Sequence, residues 1–211
     1  MKKDVAGSLV STGIRLIAKR GSQVSLREIQ RKAGVLNEGA IRYHFGRREN
    51  FIAACMRDIS NRFGAITVTQ FAAFEQLKSE RAVTVKDVSE ALVKSLHSFL
   101  IQDKDSVWFM ARMIREEGSL GQDLLITCFG PMIWRLEEEL KLLLPHKQPA
   151  MLRLHLFLAI NSTLNGMVDQ DLLWRLPGLA GEDRFRLNPE EFANGFLQYI
   201  TAGMSIEEEP M

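Results

Sequence analysis

The sequence predicts an all-α chain of about nine helices, an N-terminal three-helix domain followed by a larger C-terminal helical bundle. Three observations carry this. Apolar residues recur at three- and four-residue spacing through nearly every segment, the segments end at caps, glycines or prolines, and no run alternates apolar and polar residues as a half-buried strand does.

In the first helix, expected over 4–20, Val5, Leu9, Gly13, Ile14, Ile17 and Ala18 share a face. Lys19 and Arg20 suit the negative end of the helix dipole, and Gly21 suits its C′ position. Ser25-Leu26-Arg27-Glu28 is a capping box opening a short second helix with Leu26, Ile29 and Ala33 inward, stopped by Gly34. After the turn, Asn37 is the expected N-cap of a third helix whose Ala40, Ile41, His44 and Phe45 face inward, and Gly46 ends it. A long helix from Arg47 carries Phe51, Ile52, Cys55, Met56, Ile59, Phe63 and Ile66. Helices are expected next at 84–102 and at 104–117, the latter closed by Gly118. Gly130-Pro131 should divide the following region into helices at 121–129 and 131–144. An apolar helix at 150–174, a loop from Pro177 to Leu187, and a last helix opened by Asn188-Pro189-Glu190-Glu191 complete the chain, with a frayed acidic tail after it.

Composition excludes several classes. With 46% hydrophobic and 25% charged residues, the 211-residue chain is neither disordered nor collagenous. Cys55 and Cys128 stand 73 positions apart and suit free thiols in a reducing cytoplasm, which is the expected location. The first ten residues lack the apolar core of a signal peptide, and the most apolar stretch, Met151–Val168, is interrupted by Arg153, His155 and Asn161, so no membrane span is expected. Neither a nucleophile elbow, a phosphate-binding glycine loop nor a His-Glu-x-x-His motif is present, and the four histidines lack metal-ligand spacing. No enzyme activity, catalytic residue, metal or cofactor is therefore expected.

The net charge of +1 hides an asymmetry. Residues 1–64 hold 13 basic and 5 acidic side chains, +8, whereas the remainder is −7. Such a basic segment suits a polyanionic partner. Within it, two short helices joined by a tight turn form a helix-turn-helix, whose second helix is built to enter a major groove. With Leu26, Ile29, Ala33, Val35, Ile41 and Phe45 in its core, Arg27, Arg31, Asn37, Glu38, Arg42, Tyr43, Arg47 and Arg48 lie outside. The expected domains are 1–46, a connecting helix 47–66, and 67–211.

Ser25-Leu26-Arg27-Glu28-Ile29-Gln30-Arg31-Lys32-Ala33-Gly34-Val35, followed by Gly39-Ala40-Ile41-Arg42-Tyr43-His44-Phe45-Gly46-Arg47-Arg48-Glu49, resembles the DNA-binding signature of TetR-type regulators. The resemblance is specific over about residues 5–60, and beyond that it is one of helical layout. It implies a homodimer that binds double-stranded DNA through the N-terminal domain and a small apolar or amphipathic effector through the C-terminal one. The turn is one residue longer than the usual pattern, Gln30 replaces a usual alanine, and Arg42 stands where many members have a phosphate-touching tyrosine.

Arg42 is the leading candidate for a base or phosphate contact, since a guanidinium can clamp guanine or phosphate with two hydrogen bonds. Tyr43 and Arg48 are candidate phosphate contacts, the latter by analogy with the family's lysine at the start of the fourth helix. Ser25, Arg27, Asn37, Glu38, Gly39 and Arg47 complete the expected DNA-binding set. His44 is read as a packed histidine. For the effector pocket the candidates are His97, Trp108, Arg112, Met113, Glu116, Phe129, Trp134, Asn161 and Asn165, aromatic, flexible and amide side chains of the kind that line helical cavities, with ordinary core as their other reading. The excess apolar surface around Leu154, Leu156, Leu158, Leu164 and Met167, with Phe192, Phe196 and Ile200, suits a four-helix dimer interface. The expected function is a ligand-responsive repressor on a palindromic operator; the alternative makes the C-terminal domain a docking surface for a partner protein.

Overall fold

The computed structural model describes residues 4–37, 39–173, 175 and 187–206. Glu38, most of the expected 177–187 loop and the acidic tail lie outside the described residues. Ten helices are present among those described: α1 (Val5–Arg20), α2 (Leu26–Lys32), α3 (Ala40–Phe45), α4 (Arg48–Glu80), α5 (Val85–Gln102), α6 (Lys104–Glu116), α7 (Gly118–Leu143), α8 (Pro149–Val168), α9 (Gln170–Leu173) and α10 (Pro189–Ser205). The fold is all-α, as the periodicity predicts.

Three expectations about element length fail. The helix expected at 150–174 is divided: α8 ends at Val168, where Asp169 is the C-cap and donates its amide to the Asn165 carbonyl at 2.8 Å, and the short α9 follows. Helix α4 continues fourteen residues past Ile66, to Glu80, because neither Gly nor Pro interrupts that stretch and Phe71 and Phe74 are buried along it. Helix α7 runs through Gly130-Pro131 as a single helix. Proline removes one ladder hydrogen bond there, and on an exposed helix face that is tolerated without a break.

The chain packs into two compact units, Met1–Gly64 with Gln102–Gly130, and Ala65–Ile101 with Pro131–Met211. In the first unit α1 is held by α2, α3 and, most extensively, α6. Leu9, Ile17, Ile29, Phe51, Ile52, Met56, Ile59, Val107, Phe109 and Met113 are fully enclosed. Asp4 caps α1 by accepting from the Gly7 amide at 2.9 Å, and Gly21 ends it at φ 92°, a left-handed conformation that favours glycine. Gly13 lets α4 come close: a Cβ there would lie 2.4 Å from the Phe51 ring.

The second unit centres on Leu92, Leu96, Phe99, Leu136, Leu140, Leu152, Leu156 and Met167, all buried. Helices α8 and α10 pack together, with the Phe196 ring lying where a Cβ on Gly166 would sit. Asn188 and Glu191 form a complete capping box on α10. The buried Lys147 donates to the Met204 carbonyl at 2.8 Å near the other end of that helix, where a cation is favoured.

Candidate nucleic-acid interface

The helix-turn-helix is built from local bonds. Ser25 Oγ accepts from the Glu28 amide at 3.2 Å, starting α2, while the Glu28 carboxylate pairs with Arg20. Helix α2 ends in a Schellman motif, with Val35 N donating to the Gln30 carbonyl and Gly34 N to that of Arg31, both at 3.2 Å, and Gly34 at φ 67°. The Gln30 side chain, buried beneath the turn, donates to the Asn37 carbonyl, which also accepts from Ala40 N at 3.0 Å. Asn37 was the expected N-cap of the next helix; the longer turn moves that place to Gly39, and Asn37 Oδ1 instead accepts from the Gly39 amide at 3.0 Å.

Ala40 and Ile41 fill the inward places of the six-residue α3. His44, expected to be packed inside, is exposed, with its ring edge-to-face against Tyr43 at 5.0 Å. The shortness of α3 explains this: Phe45, T-shaped on Phe51 at 5.2 Å, closes the inner face and leaves the imidazole outside. Ser25, Arg27, Asn37, Gly39, Arg42, Tyr43 and Arg47 are exposed, as are Arg31 and Lys32. A largely basic surface therefore surrounds α3 and its two flanks.

Arg48 is placed differently from the outward position expected of it. Half-buried, its Nη2 donates to the Ser22 carbonyl and to Glu117 Oε1, the latter at 2.6 Å, while Nη1 is buried without a hydrogen-bond partner. Next to it, Glu116 Oε2 accepts from the Ser22 amide at 2.6 Å, and Arg112 donates to Glu116 at 2.6 Å and to the Ala18 carbonyl at 3.1 Å. Burial pushes the Glu116 carboxyl up, but the Ser22 amide and Arg112 outweigh it and hold the group below its ordinary range. Four side chains from α4 and the α6–α7 region thus grip the link between α1 and α2. Arg112 and Glu116, candidate effector anchors from the sequence, belong to this grip. Glu117 and Ser22 were not found by sequence reasoning, because their partners lie many positions away.

The other effector candidates are dispersed. In the first unit Met113 is core, Phe129 packs T-shaped on Phe63 at 5.4 Å, and Trp108 is half-buried beneath Lys104. In the second, Trp134 is exposed, and Asn165 donates to the Asn161 carbonyl and side chain at 2.9 and 2.6 Å. Burial pushes the His97 imidazole down, against a backbone hydrogen bond at Pro189 that pushes it up. A groove of about 490 Å³ in the first unit is lined by the charged Arg15, Asp58, Arg62, Asp103 and Asp105 among others, and one of about 190 Å³ between α8 and α10 by His155, Leu158, Tyr199 and Met204 among others. Neither is lined by any of the nine candidates. No cluster of metal-ligating side chains is present among the described residues, and no helix there is long and apolar enough to cross a membrane.

No protein-family profile and no curated protein matches the sequence. Solved structures do match the fold. The fatty acid degradation regulator FadR from Bacillus halodurans aligns at a TM-score of 0.67 and 15% identity, over 98% of this chain and 100% of that one. The multidrug binding protein EbrR, complexed with imidazole, aligns at 0.54 and 16%, over 98% of each chain. The chain therefore has the all-α fold of these proteins.

Proposed function

We propose that this protein is a sequence-specific DNA-binding transcriptional regulator, a ligand-responsive repressor that grips a palindromic operator as a homodimer. The observation that carries the reading is the exposed basic rim of the helix-turn-helix, Arg27, Arg31, Arg42, Tyr43 and Arg47 around α3, on a segment of net charge +8. Rim cations bind phosphate and fix the register, and α3 presents Arg42 to base edges. Ser25 lies at the start of α2, where its hydroxyl can donate to phosphate while its oxygen caps the helix, and Gly39 acts through the turn, its amide being held by Asn37 Oδ1. Asn37 acts through the turn it holds. Arg48 supports the head from behind through Ser22 and Glu117, and Arg47 takes the phosphate at this corner.

The proposed domains keep 1–46 as the reading head, 47–66 as its connecting helix and 67–211 as the effector and dimerisation part. Similarity in fold to a fatty acid degradation regulator and a multidrug binding protein supports a small apolar or amphipathic effector. Such an effector regulates only through different affinities for the DNA-competent and DNA-incompetent states. Of the side chains expected at a dimer interface, Leu156, Leu164, Met167, Phe192 and Ile200 are buried within the protomer; exposed Leu154 and Leu158, joined by Phe157 on α8 and Tyr199 on α10, supply the apolar face for a second copy, and a two-fold dimer would match half-sites one turn or a multiple apart, about 34–36 Å.

Selection of the purified protein on a random duplex library at moderate salt tests the reading. A two-fold symmetric consensus is expected. Recovery of unselected sequence would overturn it. A consensus bound by a monomer would instead favour a C-terminal domain that docks another protein.

A further inference from the structure

The turn between α2 and α3 holds an aliphatic side chain outside the protein. Leu36 is 97% exposed, the most exposed large apolar residue among those described. An isolated exposed leucine is ordinary on a protein surface. This one differs in that the backbone on both sides of it is tied down. The residue before it, Val35, is tied through its amide to the Gln30 carbonyl, and the residue after it, Asn37, is tied through its carbonyl to the Gln30 side chain and the Ala40 amide. Asn37 Oδ1 on the Gly39 amide closes the far side of the turn. Both bonds to Gln30 anchor the backbone on either side of Leu36 to one buried residue, and from this backbone the leucine is presented outward.

Its surroundings define what can cover it. Arg31 and Lys32 are exposed at the end of α2, and Arg42 and Tyr43 are exposed on α3, so the leucine projects from a cationic surface that suits a polyanion. It stands three residues ahead of the Gly39 N-cap, at the end of the second helix that meets base edges in a helix-turn-helix. In the major groove the apolar feature within reach of such a side chain is the thymine C5-methyl.

We propose that Leu36 is a specificity-determining residue that reads a thymine methyl in each operator half-site. The inference rests on the DNA-binding reading above. Packing a methyl against the isobutyl group removes both from water, and one buried methylene equivalent is worth about fourfold in affinity.

The test replaces thymines of the selected operator one at a time by uracil, which deletes only the methyl, and titrates wild-type and Leu36→Ala protein. At one thymine per half-site, wild type is expected to lose about three- to tenfold on the uracil duplex. Leu36→Ala should lose the same factor on the thymine duplex and nothing further on uracil. Because the side chain is exposed, an unchanged thermal midpoint is expected for the variant. Equal affinities for thymine and uracil at every position in wild type, or a methyl effect that persists in Leu36→Ala, would overturn the assignment while leaving DNA binding in place. Failure of wild type to select any sequence would overturn both.

Discussion

At the scale of single residues, Arg42 and Arg47 carry the same charge but stand in different places, and that difference is measurable. Arg42 lies on the exposed face of α3, and in the proposed reading its bidentate guanidinium discriminates between bases, whereas Arg47, beyond Gly46 at the head of α4, is proposed to meet the phosphate backbone. Arg42→Ala is expected to cost about 1–3 kcal/mol on the operator and to relax preference at one position. Arg47→Ala should weaken all duplexes alike and lower the slope of log K against log salt by about 1, measured by anisotropy titration. Equal losses with equal salt slopes in both variants would contradict these roles. Stability has its own critical side chain in the second unit. Asp87, buried at the start of α5, accepts from Arg81 at 2.7 and 2.9 Å and from both the amide and hydroxyl of Thr84 at 2.8 Å. The Arg81 bonds, helped by Thr84 and opposed by burial, hold its carboxyl well below the usual carboxylate range. A group depressed on folding stabilises above its unfolded pKa, and that contribution disappears as pH falls through the folded value. Urea titrations should show the Asp87 contribution intact at neutral pH and shrinking below about pH 4. Asp87→Asn should cost about 1–3 kcal/mol at pH 7 and flatten this acid limb. An unaltered acid limb in the variant would place the dependence elsewhere.

Helices show which parts of the fold are local. Gly13 allows α1 and α4 to approach because the Phe51 ring fills the place of a side chain, and Phe51 is itself fully buried and braced by Phe45. Gly13→Ala would add intrinsic helix preference but force a Cβ into the ring, so a net destabilisation of about 1–3 kcal/mol is expected. A raised melting temperature would mean that the ring has somewhere to move. Features set by a few neighbouring residues were legible in the sequence: the Ser25 cap, the α1 stop at Gly21, and the Asn188 capping box all need partners within about four positions. The length of α4 was not, since what continues it past Ile66 is burial of Phe71 and Phe74, with Arg135 stacked 4.3 Å from the Phe71 ring centroid. Within the candidate interface the exposed set of Ser25, Arg27, Arg42, Tyr43 and Arg47 followed from spacing, whereas the inward turn of Arg48 depends on Glu117, 69 positions away. His44 was misplaced because helical periodicity ranks positions 40, 41, 44 and 45 alike, and a six-residue helix has too little inner face for all four.

For the whole molecule, charge and apolar surface divide the labour between the two units. Adding 102–130, with three basic and five acidic side chains, leaves the first unit at +6 and the second at −5, so the proposed attraction to a duplex falls on the unit that carries α3. The second unit instead exposes large apolar side chains on α8 and α10: Phe157 is 60% exposed, Tyr199 68%, and Leu154 and Leu158 are also exposed. The groove of about 190 Å³ between these helices has Leu158 and Tyr199 in its lining, so the same face offers both protrusions and a depression to a two-fold partner. A symmetric contact places each chosen side chain at the interface twice, which amplifies a single charge reversal. The double substitution Phe157→Glu, Tyr199→Glu puts four carboxylates into one such dimer, and both positions are exposed enough that the monomer should fold normally. Sedimentation is expected to show a dimer for wild type and a monomer for the variant, with the circular dichroism spectrum unchanged. Operator binding should then fall steeply while weak binding to a single half-site persists, because the α3 surface is intact but the second contact is no longer tethered to the first. A variant that remains dimeric would place the interface away from this face, and a monomeric variant with undiminished operator affinity would show that pairing of the heads contributes nothing to recognition.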